Sequence, residues 1–371
     1  MSFNVQAAID AAFSDSDAEI AKLKEQVAGL EHQTQLLLDT ANKAVSERDA
    51  AKADLLAAQQ SVTALQAQIV TLNARILELE RGNSGPQPEP EPEPDPVPSA
   101  PNRAAFNALT TDAQREKYRK DAQQWYAANT GPKGTLTPYT GPMTITKAGT
   151  VIEGKIINGS LTAAVNNVKV KNCQIDYTGT YGVNGYGYSG LTVEDCKITG
   201  PGMAGTSVAG IFGGDDLTAR RCNISGAEHG IHTQESGVVE WNYIHTQRRG
   251  GPDPHYDCVI CQGWQNGVII RDNFLVTQNT SAVLVKQDFG PVKNVKIQRN
   301  WIINDPLLDP DLWCWYQIYS VAGNYGGGAP VGTEITDNVL QKGKNKQYFW
   351  QLQGSVKLSG NVDFDTGKAA T

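Results

Sequence analysis

Four of the chain's five histidines, His229, His232, His245 and His255, lie close together with Glu228, Glu235, Asp253 and Asp257. A histidine beside a carboxylate can move a proton near neutral pH, and either group can bond a sugar hydroxyl or hold a cation. Alternation predicts that Val183, Ile211, Ile231 and Ile260 point inward, which leaves Asn184, Phe212, His232 and Cys261 as an outward row. His232, His255 and Asp257 would then converge on one lateral face beside His229, as acid and base or as ligand contacts. The competing reading is a polar face that is simply solvated.

A second constellation holds Asp309, Asp311, Trp313, Trp315 and Tyr316, followed by Asn324 and a glycine run. Aromatic faces cover the apolar side of a pyranose while acids and amides reach its hydroxyls, so Trp313, Trp315 and Tyr316 are candidate glycan contacts. Packing of the same tryptophans onto the scaffold is the alternative. Asp215-Asp216 resembles a catalytic pair, but it occupies a slot filled elsewhere by Asn166-Asn167, Ser189-Gly190 and Asn266-Gly267, and so reads as a turn. Cys258 and Cys261 form one CxxC without a second pair. On a strand the two would face opposite ways, and no metal or cofactor site is assigned.

These side chains are carried by a repeat. Eight segments, 168–175, 191–198, 217–224, 237–244, 268–275, 295–302, 333–340 and 356–363, share one pattern: apolar at the first, third and eighth positions except at Gly237, Thr333 and Asp363, and Cys or Asn at the sixth. Successive copies end 20 to 38 residues apart. Units of that size cannot bury their own apolar faces and must stack. Period-2 alternation with almost no helical pattern predicts a right-handed parallel β-helix rather than a leucine-rich horseshoe. The sixth position forms a column of Cys173, Cys196 and Cys222, then Asn242, Asn273, Asn300, Asn338 and Asn361. Stacked amides can satisfy one another, and the three cysteines read as buried, reduced thiols. The fourth position alternates in charge: Lys171, Glu194, Arg220, Glu240 and Arg271. The longer intervals hold inserts at 246–267 and 304–332, where solenoids often carry function.

Ahead of the repeat, a heptad runs from Ile20 to Leu79, with Ile20, Val27, Thr34, Ala41, Arg48, Leu55, Val62, Ile69 and Ile76 at a, and Leu23, Leu30, Leu37, Ala44, Ala51, Ala58, Leu65, Leu72 and Leu79 at d, so that Arg48 and an alanine-rich middle leave the strand number open. Glu19 can pair with Lys24, Glu47 with Lys52 and Arg75 with Glu80 across a parallel seam. This predicts a coiled coil and hence a homo-oligomer. Val5, Ile9 and Phe13 form a short stripe before it. After Gly82, prolines alternate with acids from Pro86 to Pro98, a composition that makes an extended spacer. The expected organisation is therefore an attachment segment at 1–16, a coiled coil at 17–82, a linker at 83–101, a helical cap at 102–134 covering the open end of the first coil, and the β-helix at 135–371. The fold class is an all-β right-handed parallel β-helix preceded by a long N-terminal α-helical coiled coil.

The chain has 371 residues and a net charge of −7, and this balance excludes a basic nucleic-acid binder. No secretory leader or membrane-spanning run of apolar residues is visible.

Taken together, the coiled-coil stalk, the proline-rich hinge and the β-helix resemble the minor tail proteins or tail fibres of phages that infect actinobacteria. The segment from His255 to Gln262 is similar to a His-x-Asp-Gly-Ile-Gln stretch of such β-helices, with Cys258 in place of the glycine. The calcium-binding aspartates and catalytic arginine of pectate lyases, and the spaced aspartates of polygalacturonases, are not matched. The resemblance implies a virion component assembled in the host cytoplasm, three copies per stalk with two as the alternative, neighbouring tail proteins, and a host-envelope glycan as partner. It leaves three functions open: a non-enzymatic recognition fibre, a polysaccharide depolymerase, and a purely structural tail-tip part.

Overall fold

The structure, a computed structural model, describes residues 100–251, 255–277, 279–304, 314–324, 328–343 and 348–371. The attachment stripe, the heptads, Asp253 and Trp313 lie outside the described residues.

The strands form three parallel sheets, each taking every third strand of the chain in order. Sheet A has ten strands, from Thr137–Pro138 to Val362–Asp363. Sheet B has nine, from Thr144–Ile145 to Trp350–Leu352, and sheet C nine, from Val151–Glu153 to Val356–Ser359. The chain thus winds through the three sheets and returns one strand spacing further along, as the repeat length requires.

Registered columns of aliphatic side chains fill the interior. Sheet A contributes Ile157, Ile175, Ile198, Ile224, Ile244, Leu275, Ile302 and Leu340, all completely buried. Sheet C contributes Val170, Val193, Ala219, Val239, Ile270, Ile297 and Ile335. Each such Ile, Leu or Val contributes about 1.5–3 kcal/mol of burial free energy, and no coil could gain it alone.

Two features hold the register between coils. In the asparagine column, Asn300 Nδ2 donates to Ile270 O and to Asn338 Oδ1, at 2.9 and 3.0 Å, while Asn300 Oδ1 accepts from Asn273 Nδ2 at 2.9 Å. The same pattern joins Asn242 to Asn273 and Asn338 to Asn361. On the outside of sheet C, Glu194 and Glu240 lie next to Arg220, and Glu240 also next to Arg271, at 2.5–3.4 Å. The residue before each column member bends the chain from sheet C to sheet A with positive φ, between 51° and 59° at Asn172, Asp195, Arg221, Trp241, Asp272, Arg299 and Asp337, and 65° at Gly360. Asn and Asp tolerate this left-handed conformation, and where Arg takes it the guanidinium pairs with the Asp of the neighbouring coil, Arg221 with Asp195 and Arg299 with Asp272. All six cysteines are free and buried.

The helices α1 (Arg103–Asn107) and α2 (Asp112–Asn129) fall in the segment expected to cap the first coil, but they do not lie over it. They run lengthwise along the outside of sheet A. Arg103 pairs with Asp337 and Phe106 stacks on Phe364 at 5.3 Å, beside the last coils. Tyr126 donates to Asp272 O midway, Gly131 N bonds Arg221 O, and Lys133 N bonds Asn172 Oδ1 near the first. Thr111 and Gln114 form a capping box at the start of α2, and Arg115, Arg119, Ala122 and Tyr126 make its buried stripe. The reason for this placement lies in sheet A. Its outward row is polar at Gln174, Lys197 and Asn223 but becomes Tyr243, Phe274, Trp301, Val339 and Val362, all buried in one cluster with Phe106 and Tyr126. The helices cover the apolar stretch of that row.

Candidate functional site

Sheet B also carries an apolar outward row. Ile231 and Val259 point inward in register, so His232 is paired with Ile260, and then Leu284 and Tyr319 follow on the next coils. The row expected from alternation is therefore one residue off on the coil after His232. Ile260 belongs to the outer row, and Cys261 points inward, with its Sγ 3.3 Å from Thr233 Oγ1. The cause is a corner just before Val259. Cys258 and Val259 both join the interior cluster, so the two cysteines of the CxxC face the same way rather than opposite ways. Cys258 takes the position held by Gly182, Gly210 and Gly230 on earlier coils. A Cβ at Gly230 would lie 2.5 Å from the Ile244 side chain, so that coil has no room for the side chain that Cys258 places in the same column.

The residue before that column faces out, which puts His229 in register with Asp257 and Ser281. A groove of about 670 Å³ opens here across four coils. Its one end is formed by Glu228, His229, His255 and Asp257, its floor by Ile260, Leu284 and Tyr319. Gln262, Lys286 and Asp288 line the other end, with Trp315 and Tyr316 at the wall. Trp315 is 53% exposed, and Tyr316 stacks parallel to Tyr319 at 5.6 Å. Asp288 accepts from Gln262 Nε2 at 2.9 Å and pairs with Lys286 at 3.1 Å.

At the histidine end, Glu228 Oε2 accepts from Arg249 at 2.6 Å and Glu228 Oε1 from the backbone N–H of His255 at 3.0 Å. The His229 ring lies between the two acids, with Nε2 3.9 Å from Glu228 and Nδ1 3.7 Å from Asp257. Those distances are too long for hydrogen bonds, and Nδ1 is buried with no partner. Asp257 is 1% exposed and accepts from Ser281 Oγ. Burial, with Glu228 adding to it against the Ser281 bonds, pushes the Asp257 carboxyl up to about 8. Burial first, then the neighbouring His232, His255 and Arg249, hold His229 down to about 3. At neutral pH the pair is thus a carboxylic acid beside an uncharged imidazole, a proton donor next to a proton acceptor.

Of the residues singled out in the sequence, the groove brings together His229, His255, Asp257, Trp315 and Tyr316. His232 is not part of its lining. It sits three residues along the strand from His229 and one coil before Ile260, its ring 4.5 Å from Phe212, with Nε2 buried and its pKa lowered to about 4 by burial. Asp215 and Asp216 form a turn, where Asp215 Oδ1 accepts from Asp216 N and Ser236 Oγ, and Asp216 has φ 51°. Sequence reasoning missed Tyr319, Asp288, Lys286 and the aliphatic floor. The signal was present in the outward row Phe212, His232, Ile260, Leu284 and Tyr319, which is apolar where a solvated face would be polar.

Residues 158–339 match the family model described as a right handed beta helix region. The solenoid is a right-handed β-helix. No curated protein and no solved structure matches the chain. Among the described residues of this β-helix and its helices, no group of three His, Cys, Asp or Glu side chains is placed to hold a metal ion, and no helix is long and apolar enough to cross a membrane.

Proposed function

We propose that the β-helix binds a polysaccharide of a host cell envelope, and that the whole chain is an oligomeric phage tail appendage, a minor tail protein or tail fibre. The observation that carries the first part is the groove, where Trp315, Tyr316 and Tyr319 offer aromatic faces beside His255, Gln262, Lys286 and Asp288. That mixture suits sugar rings, whose faces are apolar and whose edges are hydroxyls. The stalk-and-spacer sequence supports the second part, because copies joined by one coiled coil turn weak sites into avid ones. Incubating the full-length protein with host cell-wall polysaccharide tests the reading. Binding that falls about tenfold or more in Trp315→Ala supports it. Absence of binding favours a purely structural tail part.

A second reading is a depolymerase, and one observation favours it: the buried Asp257 carboxyl lies 3.7 Å from the His229 ring in the groove, where burial raises the acid's pKa to about 8 and lowers the imidazole's. Such a pair can protonate a leaving oxygen or accept a hydroxyl proton. Release of new reducing ends or unsaturated sugars, abolished in Asp257→Asn, would replace recognition by cleavage.

A further inference from the structure

Sheet B turns into sheet C through short loops, and these loops form a second groove of about 540 Å³ that shares no residue with the first. It is lined in order by Asn166, Tyr186 and Tyr188, Asp215, Glu235, and Trp264, one or two side chains from each of five successive coils. Four coil spacings of ~4.8 Å make it about 19 Å long, parallel to the solenoid axis. An extended polymer lying along the axis matches that shape.

Its aromatic faces are held outward. Tyr186 is 59% exposed, with its ring stacked parallel on Phe212 at 5.1 Å. Trp264 is 53% exposed and adopts φ +73°, a conformation unusual for a bulky residue. Its N–H bonds Pro291 O at 2.9 Å, and its indole lies across Gly290, where a Cβ would come within 2.4 Å of the ring. Backbone and glycine together seat an indole at the end of the groove that a relaxed turn would not present. Between the aromatics are the carboxyls of Asp215 and Glu235, and beyond Tyr186 on the first coil lies the amide of Asn166. The hydrogen bonds of Asp215 run to Oδ1, which the turn uses. No lysine or arginine lines this groove, in contrast to Lys286 in the first.

We infer that this groove is a second, separate polysaccharide site, selective for an uncharged glycan strand laid along the solenoid, with Trp264 and Tyr186 as stacking platforms and Asp215 and Glu235 as hydroxyl acceptors. The carboxyls would repel a uronic-acid polymer, whereas sugar hydroxyls can donate to them. The inference rests on the reading of the protein as a glycan binder but depends on different residues, so the two can fail separately.

The test is affinity electrophoresis of the full-length protein through native gels containing mannan, β-glucan or arabinogalactan as neutral polymers, and polygalacturonate as an anionic one. Retardation by at least one neutral polymer is expected, weakened roughly fivefold or more by Trp264→Asn and by Tyr186→Ala. Asparagine tolerates the left-handed backbone, and Tyr186 is at an exposed turn, so unchanged thermal melts separate lost contacts from lost folding. If both variants bind like the parent while Trp315→Ala does not, the second site is overturned and the first stands. If they lose binding while Trp315→Ala keeps it, the second site stands and the first falls. Equal, Trp264-dependent retardation by polygalacturonate overturns the choice of an uncharged ligand. No retardation by any of the polymers overturns both sites.

Discussion

Asp257 and three histidines, His229 buried and His232 and His245 half-buried, make stability depend on pH in opposite directions. The folded-state pKa of Asp257 is raised to about 8, so between the ordinary carboxyl range and that value the folded protein binds more protons than the unfolded chain. Its contribution therefore falls as pH rises, by about 1.4 kcal/mol per unit, and is lost once pH passes about 8. His229, His232 and His245 are lowered to about 3, 4 and 4, so below their ordinary value the unfolded chain binds more protons, and stability rises with pH up to about 6.5. Three groups outweigh one below that point, and Asp257 alone acts above it. Denaturant unfolding across pH should show a maximum near 6.5 and a decline toward 8, and Asp257→Asn should flatten the decline. A decline that persists in the variant would place its origin elsewhere. The asparagine column gives a second prediction: Asn300→Ala leaves the buried N–H of Asn273 without its acceptor and takes one donor from the Ile270 carbonyl, and should cost about 2 kcal/mol in the same measurement. This column and the cysteine column were legible because one position repeats one residue type. His229 and Asp257 were visible as residues, but their pairing depends on a corner before Val259 that alternation cannot register.

At the scale of elements, the sheets were readable from periodicity and the place of the helices was not. Alternation reports which side chains point inward, and it is silent on what covers the other face. The seventh position of the repeat held the missing information: it changes from Gln174, Lys197 and Asn223 to Tyr243, Phe274 and Trp301 where α1 and α2 lie. An outward apolar row means a covering element or a groove, and sheets A and B show one case each. Replacing both Phe106 and Tyr126 with alanine should release the helices from sheet A. Limited proteolysis would then cut within 103–129, while far-UV circular dichroism keeps its β-helix signal. Resistance equal to the parent's would mean that the aromatic anchors do not hold the helices.

For the whole molecule, the heptads between Ile20 and Leu79 lie outside the described residues, and copy number belongs to solution mass. Light scattering on the full-length protein should give about 120 kDa, three times the 40.0 kDa chain, and deleting residues 17–82 should yield a monomer whose polysaccharide binding weakens by about a hundredfold or more. A monomeric parent would remove the stalk from the proposal. The path of α1 and α2 has a further consequence, in the order of events during synthesis. Arg103 and its partner Asp337 are separated by 234 residues, and Phe106 meets Phe364 near the end of the chain. The earliest described helices therefore have no complete landing surface until the last coils have left the ribosome and stacked. Until then Phe106 lacks its Phe364 partner and Arg103 its Asp337 partner, and a chain cut short before them keeps part of this apolar surface open, where chaperones and proteases act. Docking of α1 is the event that reports the coils as far as Phe364 stacked.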